Sequence, residues 1–229
     1  MQTVLTPEHK TGIFIQELKN RFLCEVEIDG ESTVCYVPSS CHLSNFLDLK
    51  GKSVLLAPTQ SKNARTQFAL FAIPYKKNYI LLNTSMANRA VADSIKGRRF
   101  SFLGRRGTIY TEHYVGGYKS DIYIQDTNTI IEVKSVLSTE KCALFPTVFS
   151  ERALKQLEKL CDLLSLGYRV HYSVISLNPY VSSIYFVSDA QFTPLLKSCI
   201  DLGMTISAFS CRIDDNRVYI DKRLQIILP

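Results

Sequence analysis

Three charged residues in one short stretch of the chain could carry out chemistry together. Asp121 lies in one strand-like segment, and Glu132 and Lys134 lie in the next. Side chains alternate across a strand, so Glu132 and Lys134 must point to the same face. Asp121 joins that face if residues 127 and 128 form a two-residue turn that pairs position 121 with position 134. A three-residue loop would reverse its direction.

Two carboxylates and an ammonium group on one face suit phosphodiester hydrolysis. Asp121 and Glu132, with the Val133 carbonyl, offer the hard oxygen ligands that Mg²⁺ or Mn²⁺ prefers. The cation would polarise the phosphodiester, while Lys134 would orient the attacking water or neutralise charge on the phosphate. The competing interpretation is a solvent-facing edge hairpin with an ordinary Glu-x-Lys pattern. Acid-x-Lys triplets are common, and taken alone the pattern favours that alternative.

Composition and charge indicate an ordinary globular protein. The chain has 229 residues, of which 46% are hydrophobic and 21% charged, with a net charge of +6. It has no signal-peptide pattern and no apolar run of bilayer-spanning length, so we expect a cytoplasmic protein without a membrane partner. Its seven cysteines have no zinc-site spacing and indicate free thiols in a reducing compartment. One acid-free basic run could attract phosphate or be a solvated loop; it contains Lys96, Arg98, Arg99, Arg105 and Arg106.

The first part of the chain has the pattern of a small β-barrel. Strand-like runs at residues 21–29 and 31–37 flank Asp29-Gly30, a strong hairpin signal. Further short strands are predicted at residues 53–57, 68–73 and 79–82. About five short strands in some eighty residues favour a closed, OB-like barrel. We expect this domain to occupy residues 1–84.

The second part, residues 85–229, has the pattern of an α/β domain with a central mixed sheet. A helix capped by Thr84 or Ser85 is predicted to run through Ile95 and end at Gly97. The remaining prediction is a hairpin at 119–136, helices at 150–165 and 189–202, and strands at 169–175, 183–187, 206–213 and 217–227.

Several ordered motifs closely resemble the SfsA family, the sugar fermentation stimulation proteins. They are Lys19-Asn20-Arg21-Phe22-Leu23, Asn83-Thr84-x-x-Ala87-Asn88-Arg89, Glu112-x-x-x-Gly116-x-x-Lys119-x-Asp121, Ile131-Glu132-Val133-Lys134-Ser135-Val136, Phe145-Pro146 and Glu151-Arg152-x-x-Lys155-x-Leu157. This resemblance spans nearly the whole chain. It implies an N-terminal OB-like nucleic-acid-binding domain joined to a PD-(D/E)XK, restriction-endonuclease-like domain.

The resemblance also implies roles for individual residues. Glu112 would be an upstream acid assisting the metal, Asp121 and Glu132 the metal ligands, and Lys134 the signature lysine. Arg152 and Lys155 would face the scissile phosphates. The chain departs from the usual family pattern at several positions: Pro38-Ser39-Ser40, Tyr118-Lys119, Thr147, Ala153 and Gln156.

Other residues are candidates for nucleic-acid contact. Lys19 and Arg21 could bind phosphates and Phe22 could stack on an unpaired base, although an aromatic ring in an alternating strand more often packs inward. Lys62 and Arg65 lie in a polar loop where a solvated tip is an equal alternative. The remaining candidates are Asn88, Arg89, Arg105 and Lys119.

The leading hypothesis is therefore a Mg²⁺- or Mn²⁺-dependent nuclease acting on DNA or RNA. The second is a non-catalytic DNA-binding protein with a regulatory role in sugar (maltose) metabolism on the same scaffold. A sugar- or nucleotide-processing enzyme is more remote, since the chain lacks a Gly-rich phosphate loop and a paired-carboxylate glycosidase signature. Cleavage of both strands of a duplex would favour a homodimer.

Overall fold

The N-terminal part of the chain is a closed β-barrel. The computed structural model describes residues 9–38, 42–45, 47–59, 63–147, 150–214 and 217–229. Its first strands are β1 (Lys10–Glu17), β2 (Leu23–Ile28), β3 (Glu31–Tyr36), β4 (Ser53–Pro58), β5 (Phe68–Tyr75) and β6 (Asn78–Leu81). Their order is β3-β2-β1-β4-β5-β6, and parallel pairing of Tyr36 with Ala69 joins β3 to β5 and closes a five-stranded OB barrel. The predicted OB-like barrel is confirmed.

The β2–β3 hairpin forms where the sequence predicts it. Ile28 pairs with Glu31, leaving Asp29 and Gly30 as a two-residue turn. Both turn residues have positive φ, 54° and 86°, which this hairpin geometry requires and which Asp-Gly adopts readily. Strand β1 was not predicted from the sequence.

Helix α1 (Thr84–Ser94) follows the barrel directly. Its N-cap is Asn83, whose side-chain oxygen accepts a hydrogen bond from the Ser85 backbone N–H over 3.1 Å. The predicted cap at Thr84 or Ser85 was therefore wrong by one or two positions, because Asn is an equally good acceptor at this position. A short 3₁₀ segment, Arg98–Leu103, lies beyond the helix.

The C-terminal part is the predicted α/β domain. Its elements are β7 (Ile109–Val115), β8 (Tyr118–Ile124), β9 (Thr129–Val136), β10 (Cys142–Phe145), α2 (Glu151–Ser165), β11 (Arg169–Ser176), β12 (Ser183–Phe186), α3 (Phe192–Asp201), β13 (Thr205–Asp214), β14 (Arg217–Arg223) and β15 (Gln225–Ile227). The central mixed sheet has the order β14-β13-β11-β9-β8-β7, with β9, β11 and β13 parallel. A small parallel sheet, β10-β12-β15, lies beside it. The last predicted strand is two strands, which belong to different sheets.

The β8–β9 hairpin decides which way Asp121 faces. Ile124 pairs with Thr129, so the loop has four residues, three of them in a 3₁₀ turn that ends at Asn128 with φ 50°. The two-residue turn considered from the sequence was therefore too short. An even loop length keeps the same alternation, so Asp121 still shares a face with Glu132 and Lys134.

One apolar core runs through both parts of the chain. Residues of the barrel, of α1 and of one face of the central sheet belong to the same buried cluster. Helices α2 and α3 cover the opposite face of the sheet. The backbone N–H of Leu81 bonds to the Leu177 carbonyl over 3.0 Å, and the Asn78 amide donates to the Tyr180 hydroxyl over 2.9 Å. Barrel and sheet are thus packed as one body.

Two cysteines differ from the expectation of free thiols. Cys161 in α2 and Cys199 in α3 form a disulfide, with their Cα atoms 5.2 Å apart. The spacing of the cysteines does not indicate this pair, because the two residues are 38 positions apart and meet only through helix packing. Within the described part of the chain, Cys24, Cys35, Cys142 and Cys211 are free thiols. No helix in that part is long and apolar enough to cross a bilayer.

Candidate active site

A cleft of about 600 Å³ opens where β8 and β9 meet α1 and α2. Asp121, Glu132 and Lys134 all line it. Arg152 and Gln156 of α2 lie on one side, and Asn88 of α1 contributes to the wall. The three residues that the sequence singled out for chemistry are therefore brought together by the alternation of two neighbouring strands.

Glu132 is the most deeply buried acid of the cleft, with only 2% of its surface exposed. Its Oε2 accepts a hydrogen bond from the Tyr118 hydroxyl at 2.5 Å. Its Oε1 accepts from Lys134 Nζ at 2.6 Å. Burying a carboxylate is unfavourable unless it is paired and hydrogen-bonded, and both oxygens of Glu132 meet that condition.

Lys134 joins the sheet to helix α2. Its ammonium group donates to Glu132 and also to Oε1 of Gln156, 2.6 Å away. Gln156 is one of the positions where the chain departs from the usual family pattern. An amide oxygen can accept from the ammonium group without adding a charge, so Gln156 fixes the lysine and leaves its charge available to the cleft.

Asp121 is held by the backbone of the neighbouring strand. Its Oδ2 accepts from the Val133 N–H at 2.7 Å, and its Oδ1 accepts from the Asn88 amide at 3.2 Å. Burial, together with the negative charge of Glu132, raises the pKa of Asp121 to about 6. The Val133 N–H and the Lys134 charge oppose that rise.

The chemistry of these donors fits a hard divalent cation. Asp121 and Glu132 present carboxylate oxygens on one face, and the charge of Glu132 is one cause of the raised pKa of Asp121, a repulsion that a bound cation would relieve. Within the described ranges, however, no three acids, histidines or cysteines cluster as a metal-binding group. Two carboxylates would then have to be completed by water, backbone oxygen or substrate, as is usual for Mg²⁺.

Glu112 does not line this cleft. It lies in β7, where its φ of 52° interrupts an otherwise extended strand, and its exposed carboxylate forms an ion pair with Lys119. Its charge still contributes slightly to the raised pKa of Asp121. Glu112 was expected to assist the metal and Lys119 to contact phosphate. In the structure the two side chains instead neutralise each other in an ion pair outside the cleft.

The remaining predicted contacts fall into distinct places. Arg152 is exposed and lines the cleft, whereas Lys155 is exposed without lining it. Arg105 pairs with Asp126 at the β8–β9 turn and also does not line the cleft. Lys62 lies outside the described residues. Phe22, Arg65 and Arg89 border a different groove, on the barrel, and Lys19 and Arg21 are exposed near it.

Part of the basic run serves the fold. The Arg99 guanidinium donates to the Ile220 carbonyl at 2.6 Å, and that of Arg106 donates to the Phe100 carbonyl at 2.5 Å. Arg99 thereby links the 3₁₀ segment to β14, and Arg106 links the residues after that segment back to it. Lys96 and Arg98 remain exposed, so only part of this run is available to phosphate.

Two tyrosines and one amide that line the cleft or contact its acids were not assigned a role from the sequence. They are Tyr118, Gln156 and Tyr172. Tyr172 of β11 is paired in register with Glu132, and burial raises its pKa. Its hydroxyl has no hydrogen-bond partner among the described atoms. Only the packing of the strands shows that Tyr118 contacts Glu132 and that Tyr172 lies beside it.

Comparisons with known proteins agree with this architecture. Residues 85–217 match the family model described as "Sugar fermentation stimulation protein RE domain", and residues 18–82 match "SfsA N-terminal OB domain". A sugar fermentation stimulation protein homolog of Caldanaerobacter subterraneus is 33% identical over 95% of this chain and 96% of its own length. One from Ruminiclostridium cellulolyticum is 27% identical over 96% and 97%. The structure of Pyrococcus furiosus SfsA in complex with Ca²⁺ superimposes with a TM-score of 0.81 over 99% of both chains, at 21% identity.

Proposed function

This chain belongs to the SfsA family of sugar fermentation stimulation proteins, and we propose that it is a divalent-cation-dependent nuclease. The single observation that carries the proposal is the convergence of Asp121, Glu132 and Lys134 in one cleft. A protein that only binds DNA has no use for two desolvated carboxylates, which repel phosphate.

The residues of the cleft would divide the work in a simple way. Bound at Asp121 and Glu132, Mg²⁺ or Mn²⁺ would supply charge stabilisation to the phosphodiester and acidify a water molecule. Lys134 would hold that water or the phosphate oxygen, because its ammonium group has three donors and, among the described residues, two acceptors, Glu132 and Gln156. Arg152 would bind a neighbouring phosphate of the strand.

The positions of these groups are fixed before any substrate binds. Tyr118 holds one oxygen of Glu132, Asn88 and the Val133 N–H hold Asp121, and Gln156 holds Lys134. Preorganised groups need little rearrangement during reaction, which is the main source of catalysis in phosphoryl chemistry.

The Ca²⁺ complex of the Pyrococcus furiosus relative supports the choice of a divalent cation. That protein was solved in complex with Ca²⁺, a hard cation with the same preference for oxygen ligands. We propose that the carboxylates of this chain bind a cation of the same class, with Mg²⁺ or Mn²⁺ supporting cleavage.

A second function is a DNA-binding regulator of sugar metabolism that does not cut. The absence of a third acid from the described cleft favours it, since many hydrolytic metal sites have more ligands. In that case Asp121 and Glu132 would be structural groups, with Lys134 neutralising one of the two charges.

Cleavage assays with matched variants separate the two functions. Purified protein is incubated with labelled single-stranded DNA, duplex DNA and RNA, in Mg²⁺, Mn²⁺ or EDTA. Glu132→Gln keeps the acceptor for Tyr118 but removes the charge, and Lys134→Met removes the ammonium group. Glu158→Gln, on the exposed side of α2, is the control.

We expect cation-dependent cleavage by wild type and by Glu158→Gln, and a loss of at least 100-fold in the other two variants. If no substrate is cut in either cation while all proteins bind DNA equally, the binding function replaces the nuclease.

A further inference from the structure

A second groove of about 680 Å³ runs over the outer surface of the barrel. We call it the barrel groove. Its wall contains Phe22 from the turn before β2, Val34 and Tyr36 from β3, and Met86 and Arg89 from α1. No acid lines the described part of the groove, in contrast to the catalytic cleft.

The aromatic rings of this groove are available to a ligand. Phe22 is 37% exposed and Tyr36 is 41% exposed. Their planes differ by only 19°, with ring centroids 6.5 Å apart. The sequence favoured an inward-facing Phe22, and this was wrong because Phe22 lies just before β2, outside its alternation. Two nearly parallel exposed rings form the kind of surface on which flat aromatic ligands stack.

Positive charge surrounds the rings. The Arg21 guanidinium lies 4.9 Å from the centroid of the Phe22 ring. Arg65 and Arg89 line the groove with exposed side chains, and in the described part of the chain no carboxylate pairs with either. Rings flanked by unpaired arginines suit a ligand that is both aromatic and anionic.

The barrel groove and the catalytic cleft lie side by side. Pro38 lines both. Helix α1 divides its residues between them, with Thr84 and Asn88 facing the cleft and Met86 and Arg89 facing the groove. A chain-like ligand could therefore occupy both at once.

We propose that the barrel groove binds unpaired bases of a single nucleic-acid strand whose neighbouring phosphodiester lies in the catalytic cleft. This inference rests on the proposed nuclease function and names its substrate class. In a duplex the bases stack on one another and their faces cannot reach Phe22 and Tyr36. A single strand offers its bases to the rings and its phosphates to Arg21, Arg65 and Arg89.

Binding without cleavage tests this assignment. Fluorescence anisotropy in EDTA measures the affinity for a labelled 20-mer of deoxythymidine, for a 20-mer of abasic sites with the same phosphates, and for a 20-bp duplex. The variants are Phe22→Ala and Tyr36→Ala. Tyr185→Ala is the matched control, because Tyr185 is 36% exposed but lines neither the groove nor the cleft.

We expect wild type and Tyr185→Ala to prefer the thymidine strand over the abasic strand by about tenfold, and each groove variant to lose most of that preference. The abasic strand should bind all four proteins alike, since its phosphate contacts are unchanged. A 2-aminopurine base in the strand should be quenched on binding to wild type and not to Phe22→Ala.

The assignment is overturned if wild type binds both strands equally, or if the preference survives in both groove variants. Tighter binding of the duplex would also overturn it. Because these measurements need no cleavage, base-dependent binding by a protein that cuts nothing would reject the nuclease and keep the groove. Cleavage without base preference would support the nuclease and reject the assignment of the groove.

Discussion

The Tyr118 hydroxyl donates a hydrogen bond to Oε2 of Glu132 at 2.5 Å, in a position where both side chains are buried. This contact joins β8 to β9 and holds the Glu132 carboxylate in one direction. Because β8 and β9 are adjacent strands, the contact depends on the four-residue loop that fixes their register.

Replacement of Tyr118 by Phe should therefore affect the site and the fold together. Glu132 would keep its burial but lose one donor, and we expect a loss of about 1–3 kcal/mol in the free energy of unfolding. Ca²⁺ affinity should fall by about tenfold or more, as is usual when a group that orients a metal ligand is removed.

Urea unfolding and calorimetric titration with Ca²⁺ measure the two effects. Tyr123→Phe is the control, since the Tyr123 hydroxyl bonds to the exposed Asn128 at 2.7 Å; it should change both quantities little. Equal effects of the two substitutions would show that the Tyr118 contact has no special role.

Gln156→Ala should impair cleavage more than stability. The variant removes one of the two acceptors of Lys134 and leaves Glu132, so the ammonium group is held less firmly. We expect a fall in kcat/KM of roughly three- to tenfold, with less than about 1 kcal/mol lost from the free energy of unfolding.

Gln156→His should recover part of the activity, because an imidazole nitrogen can accept from Lys134. Glu158→Ala, on the exposed side of the same helix, should behave as wild type. Unchanged kinetics in Gln156→Ala would mean that Glu132 alone positions the lysine.

The stability of the cation-free protein should depend on the ionisation of Asp121. Its folded pKa of about 6 lies above the ordinary value of 3.8, so the folded state binds the proton more tightly than the unfolded state. This contribution is fully present below about pH 4 and is lost as the pH rises through 6. The loss is up to about 3 kcal/mol.

Asp121→Asn removes that dependence. Urea unfolding in EDTA at pH 4.5, 5.5 and 7 should show the variant gaining stability relative to wild type as the pH rises. The difference between the two proteins cancels other titrating groups, including His171, whose burial lowers its pKa to about 3 and gives the opposite slope between pH 3 and 6.5. A difference that stays constant with pH would contradict the assigned pKa.

Reduction of the Cys161–Cys199 disulfide should destabilise the C-terminal helices. The bond closes a loop of 38 residues between α2 and α3, and we expect a loss of roughly 3–4 kcal/mol on reduction. Alkylation in denaturant, followed by mass spectrometry, should count two fewer reactive thiols without reductant than with it.

Cys161→Ser with Cys199→Ser should match the reduced wild type, and reductant should no longer change its stability. Cys142→Ser, at an exposed free thiol, is the control and should unfold as wild type does. An equal thiol count with and without reductant would show that the pair is not bonded.

Much of the fold could be predicted because local signals were strong. Asp29-Gly30 marks its hairpin, and the helix predicted at 150–165 is found at Glu151–Ser165, with Ser150 as its N-cap. Strands β1, β7 and β10 were missed because they are partly exposed or short. Leu224 gave no turn signal, although the chain changes sheets there.

The alternation of side chains along a strand predicted part of the site. Glu132 and Lys134 had to share a face, and Asp121 followed once the loop proved even. The partners of these residues come from elsewhere: Tyr118, Gln156 and Asn88 contact them only through the packing of β8, α2 and α1. No spacing rule in the sequence links such positions.

The core that runs from the barrel through α1 into the central sheet has a consequence for how this protein can be altered. A barrel separated after residue 84 would leave the apolar side of α1 and one face of the sheet open to water. The barrel is therefore not an interchangeable adaptor. A barrel taken from another protein would have to bring a matching surface with it, so the two halves must be inherited and engineered as a unit.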